Sequence, residues 1–125
     1  KVSFPNLSDE RGIAGDITTN AAGNVYHFWP AFNSKRMLVK KSTDGGATFG
    51  STVIVANTNA SFTYSLPSMD SRNAAIYAAA DADVSSGPFR NSIYASWGDT
   101  VDPDVLGQQV ADMAWAGLRA VHRTG

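Results

Sequence analysis

The sequence contains no cysteine, almost no glutamate and no long apolar run, and each absence excludes a class of protein. Without cysteine there are no disulfide bonds, no thiolate zinc sites and no cysteine nucleophiles. Ten lysines and arginines stand against eleven acidic residues, and a net charge of −1 argues against a nucleic-acid partner, which needs a strongly basic face. Because no apolar run approaches about 18 residues, we expect no membrane span.

The acidic residues that are present favour turns. Ten of the eleven are aspartates, Glu10 is the only glutamate, and 11 glycines and 8 asparagines accompany them. Short polar side chains and glycine stabilise turns and helix caps rather than helix interiors. The 125 residues therefore indicate one small all-β domain. Strands are predicted over 12–18, 25–29, 36–41, 51–56, 74–79 and 92–97, with a polar connection over 57–70 and a turn-rich loop over 81–88.

Both ends of the chain differ from this pattern. Residues 1–11 are polar and without periodicity, which is typical of an N-terminal arm. The C-terminal segment 101–125 is predicted to be an amphipathic helix, because Asp102 is a helix cap before Pro103. Apolar residues then follow at spacings of three and four, the period of one helix face: Leu106, Val110, Met113, Ala114, Gly117, Leu118 and Val121. We expect that face to pack on the sheets or on a neighbouring chain.

One motif is specific. Residues 42–49 (STDGGATF) fit the pattern S-x-D-x-G-x-T-[FW] between two predicted strands. Asp44 is suited to accept backbone N–H groups and Gly46 to take unusual backbone angles. Thr48 is suited to bond across the turn, and Phe49 to pack beneath it. The segment resembles the Asp-box, or BNR repeat, of sialidase-like β-propellers, in which it joins the outer two strands of a blade. In that family Ser42, Asp44, Gly46, Thr48 and Phe49 would be structural residues on the outer rim.

The resemblance extends over residues 12–100. Residues 24–29 (NVYHFW) are similar to the family's inner strand, and residues 92–99 (SIYASWGD) are similar to the same strand of a next blade. The chain would then supply about two blades, whereas a propeller needs four to eight of them, at roughly 40–45 residues each. The resemblance thus implies a partial propeller that is completed by self-association, for instance as a homotrimer of six blades. It also implies a secreted or periplasmic location and a glycan ligand. Alternatively, the chain is a truncated piece of a longer parent.

The residues needed for catalysis are only partly present. A sialidase uses an arginine cluster, a tyrosine with a glutamate partner and an aspartate, but the only glutamate here lies in the predicted arm. Hydrolysis by a serine needs a histidine base and an orienting acid. His27, Ser96 and Asp99 are the candidates, because His122 falls in the last turn of the predicted helix. In the alternative to a structural role, His27 acts in an esterase-like or glycosidase site built between subunits.

Three further groups of residues each have a structural and a functional interpretation. Asp81, Asp83 and Ser85 alternate oxygen ligands as in a calcium loop, but they equally suit an Asp-rich turn, and no other cofactor is expected. Lys35, Arg36, Lys40 and Lys41 suit a solvated outer strand or a contact with an anionic glycan. The aromatic residues of the two similar strands suit the blade core or a sugar platform: Tyr26, Phe28, Trp29, Tyr94 and Trp97. The sequence therefore predicts a self-associating Asp-box module, with the hydrolase as its alternative.

Overall fold

The computed structural model describes residues 11–100. The predicted arm, apart from Arg11, and the predicted helix over 101–125 lie outside the described residues. Within 11–100 the chain is all-β, as predicted, and it contains no helix. Its eight strands are β1 (Asp16–Thr19), β2 (Val25–Pro30), β3 (Arg36–Ser42), β4 (Val53–Asn57), β5 (Thr63–Leu66), β6 (Met69–Ala75), β7 (Ala79–Ala82) and β8 (Ile93–Ser96).

The first four strands form one antiparallel sheet in the order β1-β2-β3-β4. The aromatic and β-branched β2 lies inside the sheet, where Phe28 pairs with Asp16 on one side and with Val39 on the other. The β1–β2 turn is closed by Asn20, whose side-chain Oδ1 accepts the N–H of Asn24 at 3.0 Å, and by Gly23 at φ 85°. β1 begins only at Asp16, later than predicted, after Ala14 at φ 60°.

The basic strand β3 is not the solvated outer strand that the lysine pattern suggested. β3 is paired on both sides, by β2 and by β4, so the apolar strand β4 takes the sheet edge instead. Lys40 lies opposite His27 and is only 7% exposed. β4 itself begins at Val53, two residues later than predicted, and a bulge between Met37 and Leu38 shifts its register.

The predicted polar connection over 57–70 is wrong in part, because it contains a hairpin. β5 and β6 pair antiparallel from Thr63 opposite Ala75 to Leu66 opposite Met69. The hairpin lacks the dense β-branched pattern of β3 and β4, so composition gave no sign of it. The predicted strand over 74–79 is also divided: β6 ends at Ala75, and β7 begins at Ala79 and extends through Asp81 into the predicted loop.

The hairpin of β7 and β8 lies beside the first sheet, along β1. The N–H of Ala78 donates to the carbonyl of Ala14 at 3.0 Å, and the N–H of Ala80 donates to the carboxylate of Asp16 at 2.9 Å. The donor moves forward from Ala78 to Ala80 as the acceptor moves forward from Ala14 to Asp16, so β1 and β7 run in the same direction. The tips of the two hairpins also meet, where the N–H of Ala22 donates to Asn91 Oδ1 at 3.1 Å.

The core lies between the first sheet and the segments that follow it. Met37 is fully buried against Ala60 and Ile76, and Tyr64, Ala78 and Trp97 pack around this cluster. A second cluster on the opposite face of the sheet joins Trp29, Ala31 and Leu38. Burial of a large apolar side chain contributes about 1.5–3 kcal/mol. The two clusters therefore hold β2 and β3 between apolar neighbours on both faces.

Candidate functional site

Residues 42–49, which resemble an Asp-box and which we call the Asp-box turn, form a closed turn between β3 and β4. Ser42 is buried, and its hydroxyl donates to Asp44 Oδ1 at 2.7 Å and accepts the N–H of Gly46 at 2.9 Å. Asp44 accepts both the N–H and the hydroxyl of Thr48. Gly45 and Gly46 have φ values of 74° and 92°, which glycine adopts without strain. The turn therefore satisfies its polar groups from its own residues, as expected for a structural element.

The same bonds set the charge of the turn. The hydroxyl and N–H of Thr48, with the hydroxyl of Ser42, lower the pKa of Asp44 to about 2. Hydrogen bonds to a carboxylate favour its ionised form. Asp44 is therefore a fixed anion whose oxygens are occupied by the turn, which suits a structural role and not that of a proton donor.

An open groove of about 660 Å³ lies beside this turn. Phe49 is half-buried and lines it together with Tyr26, Val39 and Val53. The Nζ of Lys41 lies 5.7 Å from the centre of the Tyr26 ring, which is the distance of a cation–π contact. The groove thus offers two aromatic surfaces and a cation on one face of the sheet.

His27 lies on the other face of that sheet. Its ring stacks on Trp29, with 5.1 Å between the ring centres and 17° between the planes. Burial, and next the charge of Lys40, lower the pKa of His27, so the imidazole is neutral at pH 7. Its Nδ1 is buried and has no hydrogen-bond partner among the described residues. A base in a catalytic triad is oriented by an acid at one ring nitrogen, and Nδ1 lacks one here.

Asp99 and Ser96 each make contacts that do not involve His27. The Asp99 carboxylate accepts the backbone N–H groups of Asn59 and Ala60, both at 2.8 Å, and that of Thr100 at the same distance. It thereby joins the segment after β8 to the segment after β4. Ser96 is exposed and lines a shallow cavity of about 200 Å³ with Asp81 and Tyr94, to which neither His27 nor Asp99 contributes.

The candidate calcium ligands form local turns. Asp81 Oδ1 accepts the N–H of Ala82, and Asp83 Oδ1 accepts the N–H of Ser85, both at 2.8 Å. The Ser85 hydroxyl accepts the N–H of Gly87 at 3.1 Å. Bonds from Ser85 lower the pKa of Asp83. No group of three histidine, cysteine or acidic residues comes together in the part of the chain that the structure describes, and the calcium loop stays a prediction.

Two polar residues that connect distant segments were missed from the sequence. Asp16 falls within the first predicted strand, where no site is predicted, yet its carboxylate accepts the N–H of Ala80. Asn91, at φ 72°, falls between the predicted loop over 81–88 and the predicted strand over 92–97, yet its side-chain Oδ1 accepts the N–H of Ala22. No local pattern marks either residue, because their partners lie 64 and 69 residues away.

Comparisons with protein-family models, with curated proteins and with solved structures find no match to this chain. Within residues 11–100 no helix is long or apolar enough to cross a membrane.

Proposed function

We propose that this chain is a self-associating module of the sialidase-like Asp-box type, in which several copies complete one propeller that binds a glycan. One observation carries the proposal: β1, at one edge of a four-stranded antiparallel sheet, runs in the same direction as β7, the first strand of the next hairpin. Blades arranged around an axis would place their innermost strands side by side in this way. The Asp-box turn joins β3 and β4, the two strands of the sheet farthest from β7.

Within the described residues the second blade is incomplete, and this gives copies of the chain a reason to associate. The hairpin of β7 and β8 has two strands, whereas a propeller blade has four. Three exposed apolar residues, Val53, Ile54 and Val55, also form most of the edge strand β4. Natural edge strands are usually protected by charge, proline or a covering segment. An assembly of copies would cover such surfaces.

The mass of the full chain in solution tests this proposal. Light scattering on a size-exclusion column is expected to give a discrete oligomer, and for six blades it would contain three chains of 13.2 kDa. The measurement is repeated over a range of protein concentrations, because assembly depends on mass action. A monomer at every concentration would disprove self-association and remove the reason for a closed propeller.

The groove beside the Asp-box supports the glycan part of the proposal. Tyr26 and Phe49 offer faces on which a sugar ring can stack, and Lys41 offers a donor for hydroxyl or carboxylate groups. Calorimetry with neutral and sialylated oligosaccharides tests it. The variant Tyr26→Ala is expected to weaken binding at least tenfold, while Tyr77→Ala, an exposed tyrosine outside the groove, leaves it unchanged. Equal binding by both variants and the wild type would exclude the groove.

A hydrolase with a site between subunits is the second candidate, and the neutral His27 favours it. An imidazole that is unprotonated at pH 7 is in the state that a general base requires. Within residues 11–100 no serine or acid bonds to Nδ1, so the hydrolase would need these groups from outside this part of the chain, for instance from another copy. Replacement of His27 by alanine would abolish turnover of an ester substrate in a hydrolase, and would change only stability in a binding module.

A further inference from the structure

The last described residues lie against the segment that follows β4. The Asp99 carboxylate accepts the backbone N–H groups of Asn59 and Ala60, both at 2.8 Å. The side-chain amide of Asn59 donates to the carbonyl of Thr100 at 2.7 Å. β4 ends at Asn57, so Asn59 follows closely after the edge strand of the first sheet. These bonds therefore fix the point from which the chain continues into residues 101–125, beside the carboxyl end of β4.

This exit point and the groove beside the Asp-box turn belong to the same face of the first sheet. Ala60, next to the exit point, packs with Met37. Side chains alternate along a strand, so Met37, Val39 and Lys41 share one face of β3. Val39 and Lys41 line the groove. A segment that continues from Thr100 therefore reaches the groove without passing around the edge of the sheet.

The second hairpin covers only part of that face. Trp97, which follows β8, packs on the cluster that contains Met37 and Ile76. Within residues 11–100 no further strand follows β8. Val53 in the groove is 57% exposed, and Val39 is half-buried. The groove of about 660 Å³ is thus the part of the face that the described chain leaves open, and residues 101–125 come next in the chain.

The segment that follows has the pattern and the length to cover the groove. Its apolar residues recur over 106–121 at the spacing of one helix face, which we call the apolar stripe. A helix rises about 1.5 Å per residue, so 106–121 would span about 24 Å. A strand rises about 3.3 Å per residue, so the way back along β4 from Asn57 to Val53 is about 13 Å. The stripe is therefore long enough to extend from the exit point over the groove.

We propose that the apolar stripe of residues 101–125 packs into the groove of its own chain, against Val39, Phe49 and Val53. The groove would then have two ligands, because Tyr26 and Lys41 beside these residues are proposed above to bind a glycan. The segment and the glycan compete for one surface, and the apparent affinity for the glycan falls to the fraction of molecules whose groove is free. This competition rests on the proposed glycan site, whereas the contact itself does not.

A disulfide bond between the groove and the stripe tests the contact in the full chain. The sequence has no cysteine, so Val53→Cys with Val110→Cys provides one pair, and Val110 would lie about 15 Å of helix beyond Thr100. Cysteines bridge only where their Cα atoms lie within about 7 Å. In an oxidising glutathione buffer this pair is expected to form an intramolecular disulfide about tenfold faster than either of two control pairs.

The two controls change one partner each. Ile17→Cys replaces the groove cysteine, because Ile17 is 53% exposed and pairs with His27 on the opposite face of the sheet. Asp112→Cys replaces the stripe cysteine, because position 112 lies on the far side of the predicted helix. Equal rates for all three pairs would overturn the contact. A product with the mass of two chains would overturn it as well, since the stripe would then pack on a second copy.

Two variants of the segment test the competition. Val110→Asp places a charge on the stripe and is expected to raise the affinity for a sialylated oligosaccharide about tenfold, if about one groove in ten is free in the wild type. Gln108→Asp places the same charge off the stripe and is expected to leave the affinity unchanged. Equal affinities beside a specific disulfide would overturn the competition and keep the contact. A specific disulfide without any glycan binding would overturn the proposed glycan site and its competition, and would confirm the contact.

Discussion

The carboxylate of Asp16 accepts the backbone N–H of Ala80 at 2.9 Å, across 64 residues of sequence. With the bond from Ala78 to Ala14, it fixes β1 and β7 side by side and running in the same direction. An aspartate side chain here replaces the backbone carbonyl that a continuous ladder would provide. The bond is therefore the point at which the first sheet and the second hairpin are aligned.

Loss of this carboxylate is expected to weaken the fold. Asp16→Ala removes the acceptor of a partly buried N–H, which costs about 1–3 kcal/mol of unfolding free energy. Urea denaturation measures the loss. Asp81→Ala is the control, because among the described residues the exposed Asp81 carboxylate accepts only the adjacent N–H of Ala82, and a loss of about 0.5 kcal/mol or less is expected. Equal losses in both variants would contradict a role for Asp16 in joining the hairpins.

Asp99 is expected to act as a structural clamp. Its two oxygens accept three backbone N–H groups, two of which lie about 40 residues earlier in the chain. Asp99→Ala leaves these groups without their charged acceptor, and the expected cost is about 2–3 kcal/mol. Asp83→Ala is the control, because it removes a hydrogen bond between residues that are only two positions apart. If Asp99→Ala kept the unfolding free energy of the wild type, Asp99 would not be a clamp and would again be a candidate reactive group.

The Asp-box turn is expected to give the protein an acid-sensitive step. The pKa of Asp44 lies at about 2 in the fold, below its ordinary value of 3.8. Because the folded pKa is the lower of the two, the ionised carboxylate stabilises the fold above pH 4, and that contribution is lost as the pH falls from about 4 toward 2. Denaturation midpoints across this range measure it. Asp44→Asn is expected to flatten the slope, and an unchanged slope would contradict the turn geometry.

His27 is expected to make stability depend on pH in a higher range. Its pKa lies below the ordinary value of 6.5 because of burial and Lys40, so below pH 6.5 the unfolded chain binds the additional proton. Stability therefore falls as the pH decreases from about 7 toward the folded pKa. NMR titration of the imidazole locates that pKa, and His27→Gln is expected to remove the dependence in this range. A midpoint at or above 6.5 would contradict the buried environment.

Gly15 is expected to resist substitution because of space. A Cβ at this position would lie 2.5 Å from the carbonyl oxygen of Phe28 and 3.0 Å from His27 Nε2. Gly15→Ala must therefore displace backbone, at a cost of about 1–3 kcal/mol. Gly50→Ala is the matched control, since its nearest atom would be 3.6 Å away, an ordinary contact. If Gly15→Ala and Gly50→Ala had similar stability, the backbone at Gly15 would lie farther from Phe28 than the structure places it.

The sequence by itself determined the parts of the fold whose partners are close in the chain. The bonds between Asp44 and Thr48 span four residues, so residue types and spacing were sufficient to predict them, whereas the bonds of Ser42 were not predicted. The β-branched and aromatic strands β2 and β3 follow from local pattern for the same reason.

Only the tertiary structure decided which segments lie together. Lys40 lies opposite His27 and is buried, and a charged residue in an alternating strand does not reveal such neighbours. The bonds of Asp16 and Asp99 join residues 39 to 64 positions apart, and no local spacing encodes such a pair. Local hydrogen bonding is specified by neighbouring residues, whereas the order of the strands depends on how distant apolar surfaces pack.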